Sequence, residues 1–175
     1  MSCILITGGA GAGKSSYAQN LTAKIGKKVL FVATAEAKDE DMRLRIEKHK
    51  KSRPSHWKTL EAPKDVASVI ESAGGGYSVV IIDCITMLVS NVMLGAENET
   101  SAESEILKEI DALINVMKTS PATFILVSNE VGLGIVPDNE LSRNYRDLLG
   151  RANQLIASYA DGVYLLVAGI PVKIK

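Results

Sequence analysis

The 175 residues carry 20 lysines and arginines against 20 aspartates and glutamates, a formal charge of zero, so no field of one sign draws the chain to nucleic acid or a membrane surface. Apolar residues make up 46%, which is ample for the core of one α/β domain and too much for a disordered chain. The longest apolar stretch, 163–172, is too short to span a bilayer and is broken by Pro171, and only Met1 and Ser2 precede the first strand, so a soluble cytoplasmic protein without membrane insertion or signal peptide is expected.

In chain order, Cys3-Ile4-Leu5-Ile6-Thr7 reads as a buried strand and residues 14–25 as the helix after it. The turn Gly26-Lys27-Lys28 leads to a second strand, Val29-Leu30-Phe31-Val32-Ala33. Unbroken apolar runs of this kind suit a parallel sheet covered on both faces. Residues 39–52 form a charged predicted helix that Arg53-Pro54 ends, because the residue before a proline is pushed out of the helical region. A short helix over 65–73, a loop at Gly74-Gly75-Gly76 and a third strand, Val79-Val80-Ile81-Ile82-Asp83, follow. Thr100-Ser101-Ala102-Glu103 has capping-box spacing and reads as the start of a helix whose Ile106, Ile110, Leu113 and Met117 share one face. After the Ser120-Pro121 break, Phe124-Ile125-Leu126-Val127-Ser128 is a fourth strand, 140–160 a long helix, and Val163-Tyr164-Leu165-Leu166-Val167 a fifth strand. A Gly169-Ile170-Pro171 turn then leads into Val172-Lys173-Ile174-Lys175, expected as an antiparallel edge strand. Strands alternate with helices without repeats or a linker, so the expected fold is a single P-loop-like α/β domain over 1–175, its mostly parallel sheet flanked by helices. Cys3 and Cys84 each sit in an apolar run and are expected as reduced core thiols rather than a disulfide.

Between the first strand and first helix stands Gly8-Gly9-Ala10-Gly11-Ala12-Gly13-Lys14-Ser15, a phosphate-binding loop. Its glycines let successive backbone N–H groups face phosphate oxygens, and the following helix adds the positive end of its dipole. Lys14 can reach the β- and γ-phosphates, and the Ser15 hydroxyl can ligate Mg²⁺. Asp83, ending an apolar strand, is the natural acidic partner of that ion; the alternative is an ordinary strand-end or helix-cap aspartate. The loop argues for a nucleoside triphosphate and Mg²⁺ but not for a particular reaction.

The chain has two histidines, His49 and His56. At about 100° per residue, Met42, Ile46, His49 and Arg53 fall within roughly 60° of one another on the helix, with Arg45 flanking that stripe. A histidine bracketed by Arg45, Lys50 and Arg53 would lie near bound phosphates, where an imidazole can attack phosphorus and carry the group covalently. By spacing alone that reading is weak, because a lone helical histidine beside lysines is more often a solvated or core-edge residue. His56, beside Trp57 and just past a proline, reads as packing.

The sequence closely resembles, nearly end to end, the family of bifunctional adenosylcobinamide kinase/adenosylcobinamide-phosphate guanylyltransferases of cobalamin synthesis. The residues that carry the resemblance are Ile6-Thr7-Gly8-Gly9, Val32-Ala33-Thr34-Ala35, Arg45-Ile46-x-x-His49-Lys50-x-x-Arg53-Pro54 and Trp57-Lys58-Thr59-Leu60-Glu61. They continue through Asp83-Cys84-Ile85-Thr86, Asn129-Glu130-Val131-Gly132-x-Gly134-Ile135-Val136-Pro137 and Arg143-x-Tyr145-Arg146-Asp147-x-x-Gly150-Arg151-x-Asn153-Gln154 to the Lys173-Ile174-Lys175 tail. The resemblance implies that His49 becomes guanylylated, that the 8–15 loop holds nucleotide phosphates, and that Thr34, the 50–53 stretch (with Lys50 and Arg53), Glu61 and Asp83 contact GTP. It further implies phosphorylation of adenosylcobinamide by ATP or GTP, transfer of GMP from GTP to the product, and a small homo-oligomer, a trimer. Where family members commonly read Gly-Gly-Ala-Arg-Ser-Gly-Lys-Ser, this chain has Gly11 and Ala12, so a positive charge and a hydroxyl near the phosphates are missing. Glu130 and Asp147 are candidates for the base that activates the acceptor, and each could equally be a structural carboxylate. The competing readings are a monofunctional P-loop kinase of small metabolites and a nucleotide-dependent regulatory or assembly module.

Overall fold

A computed structural model describes residues 2–26, 28–37 and 39–175; Met1, Lys27 of the expected turn, and the Arg45 side chain lie outside the described residues. Six parallel strands and one antiparallel strand form a single sheet in the order β3-β2-β4-β5-β1-β6-β7. The strands are β1 (Ser2–Gly8), β2 (Val29–Ala33), β3 (Lys58–Glu61), β4 (Val79–Asp83), β5 (Thr123–Val127), β6 (Gly162–Val167) and β7 (Ile170–Lys173). The helices are α1 (Lys14–Ile25), α2 (Glu40–Lys51), α3 (Val66–Ser72), α4 (Ile85–Gly95), α5 (Glu99–Thr119) and α6 (Glu140–Tyr159). The mostly parallel α/β architecture and its antiparallel C-terminal edge are thus as the sequence pattern indicates, with β7 paired to β6 from Tyr164↔Lys173 to Val167↔Ile170.

The central strands β2, β4 and β5 are apolar almost throughout because both of their faces are covered. Successive residues point to opposite faces, so Leu30, Val32, Val80, Ile82, Phe124 and Leu126 face one core with Val66 and Ile70 of α3, Leu88 of α4, Ile110 of α5 and Ile156 of α6. Phe31, Val79, Ile81, Ile125 and Val127 face the other, with Ala18 of α1 and Trp57. The Ile106, Ile110, Leu113 and Met117 stripe of α5 is fully buried. In contrast, α2 contributes none of its described residues to either core; its Asp39 N-cap accepts from the Met42 N–H at 2.7 Å, and its last turn is basic. Cys3 and Cys84 are both free. The register aligns Cys3 with Phe124 and Phe124 with Val80, and Cys84 follows the end of β4, with Asp83 already three residues or roughly 10 Å beyond Val80 at about 3.3 Å per residue, beyond disulfide reach.

Three local expectations are corrected. The cap of α5 is Asn98, not Thr100: the Asn98 side chain accepts from the Ser101 N–H at 2.9 Å and the Ser101 hydroxyl accepts from the Asn98 N–H at 3.0 Å. The reciprocal geometry of a capping box needs a side-chain oxygen at both positions, and asparagine with serine supplies it as well as the Ser/Thr–Glu pair. The C-terminal turn is Ala168-Gly169, both at positive φ, and β7 begins at Ile170; an edge strand tolerates Pro171 because its missing N–H is not needed there. Two elements, β3 and α4, have no counterpart among the expected ones.

Candidate active site

In an open parallel sheet, ligands gather beyond the carboxyl ends of the strands, and here a cavity of about 340 Å3 opens there. The 10–16 segment forms one wall, Met42, Ile46, His49, Lys50 and Arg53 a second, and Asp83, Cys84, Met87 and Asn129 stand between them. The helical stripe Met42, Ile46, His49 and Arg53 therefore does face one place, across the cavity from the glycine loop.

The loop is shaped by its own backbone. The Ala12 N–H bonds the Gly9 carbonyl at 3.2 Å, and Gly13, at φ 88, turns the chain into α1 from the left-handed region that favours glycine. Lys14 is buried, and its Nζ donates to the Gly9 carbonyl at 2.6 Å, which folds the lysine back over the loop. The β6–β7 turn supports the loop from outside, as the Gly169 N–H bonds the Ala12 carbonyl at 3.1 Å. Gly8 is needed for closeness: at φ 145, a Cβ there would come within 2.5 Å of the Leu166 carbonyl oxygen on β6.

Arg53 is held at the rim by stacking. Its guanidinium carbon lies 3.9 Å from the centroid of Phe31, which stacks in turn on Trp57 at 6.4 Å. Burial pushes the guanidinium down from its usual range, against the charges of Asp83 and Glu61 that hold it up; it remains a cation. Its Nε and Nη1 are buried without a hydrogen-bond partner among the described residues; the residue itself lines the cavity, where a guanidinium can meet a phosphate oxygen. Lys50 pairs with Glu61 at the end of β3, closing the side of the cavity.

Asp83 and Ser15 both line the cavity, and neither side chain makes a hydrogen bond to another described residue. A carboxylate and a hydroxyl beside a phosphate loop are hard oxygen donors of the kind Mg²⁺ takes, few in number because the nucleotide supplies the rest. Among the described residues no cluster of three or more histidine, cysteine, aspartate or glutamate side chains could hold a metal alone; the donor set fits a metal carried in with phosphates.

Of the residues singled out in the sequence, the structure brings Ala10, Gly11, Ala12, Gly13, Lys14, Ser15, His49, Lys50, Arg53, Glu61 and Asp83 to one cavity. Gly8 and Gly9 do not line it; Gly9 supplies the carbonyl that Lys14 bonds, and Gly8 packs against Leu166. Thr34 is fully buried, and its hydroxyl donates to the Cys84 carbonyl at 2.7 Å while accepting from the Cys84 N–H at 2.8 Å; its side chain locks β2 to the segment after Asp83 rather than lining the cavity. His56 is exposed, its ring edge-on to Trp57 at 6.4 Å, and stands outside the cavity. Glu130 accepts from the Gly132 N–H at 3.2 Å and Asp147 pairs with Arg146 at 2.8 Å; neither lines the cavity. Asn129 was not singled out as a site residue, although its position just past an apolar parallel strand is the available signal.

The family model for cobinamide kinase / cobinamide phosphate guanyltransferase matches residues 4–174. The chain is 42% identical over 180 aligned residues to the bifunctional adenosylcobalamin biosynthesis protein CobU of Salmonella typhimurium, covering 98% of this chain and 99% of the relative. It is 40% identical to the protein of the same name from Escherichia coli, with the same coverage. It is likewise 40% identical to the bifunctional adenosylcobalamin biosynthesis protein CobP of Pseudomonas aeruginosa, covering 98% and 96% of the two chains. Matched by the family model almost from end to end and by relatives at 40–42% identity, this chain belongs to the cobinamide kinase / cobinamide phosphate guanyltransferase family.

Proposed function

We propose that this single-domain chain phosphorylates adenosylcobinamide with ATP or GTP and then transfers GMP from GTP to the product, giving adenosylcobinamide-GDP. The observation that carries the proposal is the convergence of His49 with Lys14, Ser15 and Asp83 on one cavity, within a chain matched nearly end to end by the family.

In the first reaction the terminal hydroxyl of the aminopropanol arm attacks the γ-phosphorus, and the nucleoside diphosphate leaves. Lys14 and the loop N–H groups offset the charge on the transferring group, which is most of what phosphoryl transfer asks of a protein. Ser15 and Asp83 would hold Mg²⁺, which neutralises phosphate charge when bound. In the second reaction His49 attacks the α-phosphorus of GTP, a P–N bond forms and pyrophosphate leaves. The substrate phosphate then attacks that phosphorus, breaking the P–N bond and releasing the imidazole. Dividing the transfer this way replaces one difficult displacement by two easier ones. Arg53, with buried unpartnered donors at the rim, and Lys50 beside Glu61 would hold GTP phosphates near His49. No helix among the described residues is long and apolar enough to cross a membrane; the reading is of an enzyme of small-molecule substrates, acting in the cytoplasm. A homo-oligomer, a trimer by resemblance, would cover exposed apolar side chains such as Leu133, Ile135 and Val136.

The test is incubation with α-labelled GTP and Mg²⁺ followed by denaturing separation. Acid-labile, alkali-stable label is expected on the wild type and none on His49→Ala. A wild type that binds GTP yet takes up no label would sink the guanylyl half of the proposal.

A further inference from the structure

The strand order sets β5 between β4, which ends at Asp83, and β1, which ends at the glycine loop. Whatever follows β5 therefore stands between the two groups proposed to handle the phosphates. That segment is pinned with unusual thoroughness. The Ser128 N–H bonds the Ile6 carbonyl at 2.9 Å and the Glu130 N–H bonds the Gly8 carbonyl at 3.1 Å, extending the β1–β5 ladder past its last paired residues. Between them, the Asn129 N–H turns the other way and donates to the Thr86 hydroxyl at 2.7 Å. The Asn129 carbonyl accepts from Asn153 Nδ2 at 3.0 Å, and Asn153 is itself held by the buried Ser128 hydroxyl, which donates to its Oδ1 at 2.6 Å. Tyr145 donates to the Thr86 carbonyl at 3.2 Å, completing the network from α6.

Buried polar networks are costly unless every member is satisfied, and this one spends serine, threonine, asparagine and tyrosine groups on one backbone position. Yet the Asn129 side chain, which lines the cavity, makes no hydrogen bond to any described residue. A fixed backbone carrying an unpartnered carboxamide is the arrangement expected of a group kept for a ligand.

We infer that Asn129 is a catalytic residue of the kinase step, its Nδ2 donating to a non-bridging oxygen of the terminal phosphoryl group held between the glycine loop and Asp83. Asn153 and Thr86 are positioning residues that act through the Asn129 backbone. The inference rests on the proposed kinase activity. In that step the bond from the acceptor oxygen to phosphorus forms and the bond from phosphorus to the bridging oxygen breaks. The electron pair goes to the departing nucleoside diphosphate, and the hydroxyl proton ends in solvent. A neutral amide neither gives nor takes a proton here; it stabilises charge and orientation. The phosphoryl group it touches is the one farthest from the nucleoside, whereas His49 must reach the nearest, so loss of the amide separates the two reactions.

The experiment compares wild type, Asn129→Ala and Asn129→Asp. Kinase turnover is measured with γ-labelled ATP and adenosylcobinamide, and His49 labelling with α-labelled GTP. Removing one preorganised donor lowers turnover by about 10²–10³-fold, so Asn129→Ala is expected to lose kinase kcat on that scale. Its KM for ATP should move less than about threefold, and Asn129→Asp, which sets an anion against phosphate, should be slower still. His49 labelling should fall much less than kinase turnover, and the Tm should be unchanged, since the Asn129 side chain makes no hydrogen bond to a described residue. Kinase kcat within about threefold of wild type in Asn129→Ala overturns the inference, as does an equal fall in kinase rate and His49 labelling. A wild type that labels at His49 but phosphorylates nothing removes the kinase reading and this inference with it, leaving the guanylyl half standing.

Discussion

Replacing Gly8 by alanine should unseat the phosphate loop, and the size of the effect follows from the register. Gly8 pairs with Leu166 of β6, and an added Cβ would lie 2.5, 3.2 and 3.3 Å from the Leu166 oxygen, nitrogen and carbonyl carbon. All three are backbone atoms, so no side-chain rotation relieves the clash; β1 or β6 must move by at least half an ångström to bring the closest pair to about 3 Å. The residue also sits at φ 145, where a side chain costs about 1–3 kcal/mol. Overpacking of this kind adds about 1–3 kcal/mol. A loss of roughly 2–6 kcal/mol is therefore expected, read as a fall of about 1–3 M in the urea midpoint for a typical slope. Nucleotide affinity should fall with it, because β6 leads into the turn whose Gly169 N–H supports Ala12. Gly9→Ala is the internal control: no atom lies within 4 Å of its added Cβ, so stability should change by less than about 1 kcal/mol. Equal urea midpoints for Gly8→Ala and wild type, or equal damage from Gly9→Ala, would refute the reasoning.

Thr34→Val keeps the shape of the side chain but strips both hydrogen bonds from the Cys84 backbone. A loss of about 2–5 kcal/mol is expected in chemical denaturation, against about 1 kcal/mol or less for Thr34→Ser; nucleotide affinity in Thr34→Ser should stay within about twofold. Burial pushes the Cys3 thiol up to about 12 and the Cys84 thiol up to about 11. The Cys3 thiol, buried as well as raised, should not react with a disulfide reagent at pH 8 while the chain is folded and should react on unfolding; prompt native labelling of Cys3 would count against the burial. The sign of the linked pH effect is fixed as well: from about 9 towards 11 the unfolded chain releases a Cys84 proton that the folded chain keeps. Stability should therefore fall with rising pH through that window, measured by urea midpoints.

The phosphate loop, Asp83 and the α2 stripe were all legible because each is local: a glycine run between strand and helix, an acid at the end of an apolar run, and a helical period. The four-residue β3 was not, since Lys58, Thr59 and Glu61 are exposed and the strand exists through pairing with the edge of β2. Nor was α4, whose run Ile85-Thr86-Met87-Leu88-Val89 lacks a polar face because it packs in the core shared with α5 and α6. Such a run carries no period to distinguish helix from strand.

By itself, the order of residues determined the alternation of strands and helices, the glycine-rich loop between β1 and α1 and the family, because these rest on short-range pattern and on motif identity. Only the tertiary structure decided that the Thr34 hydroxyl holds the Cys84 backbone, that Arg53 is braced on Phe31, and that Asn129 stands between Asp83 and the loop. Those outcomes depend on which strands become neighbours. Strand order is set by burying two faces of one sheet at once, a condition that no short stretch of chain can express alone.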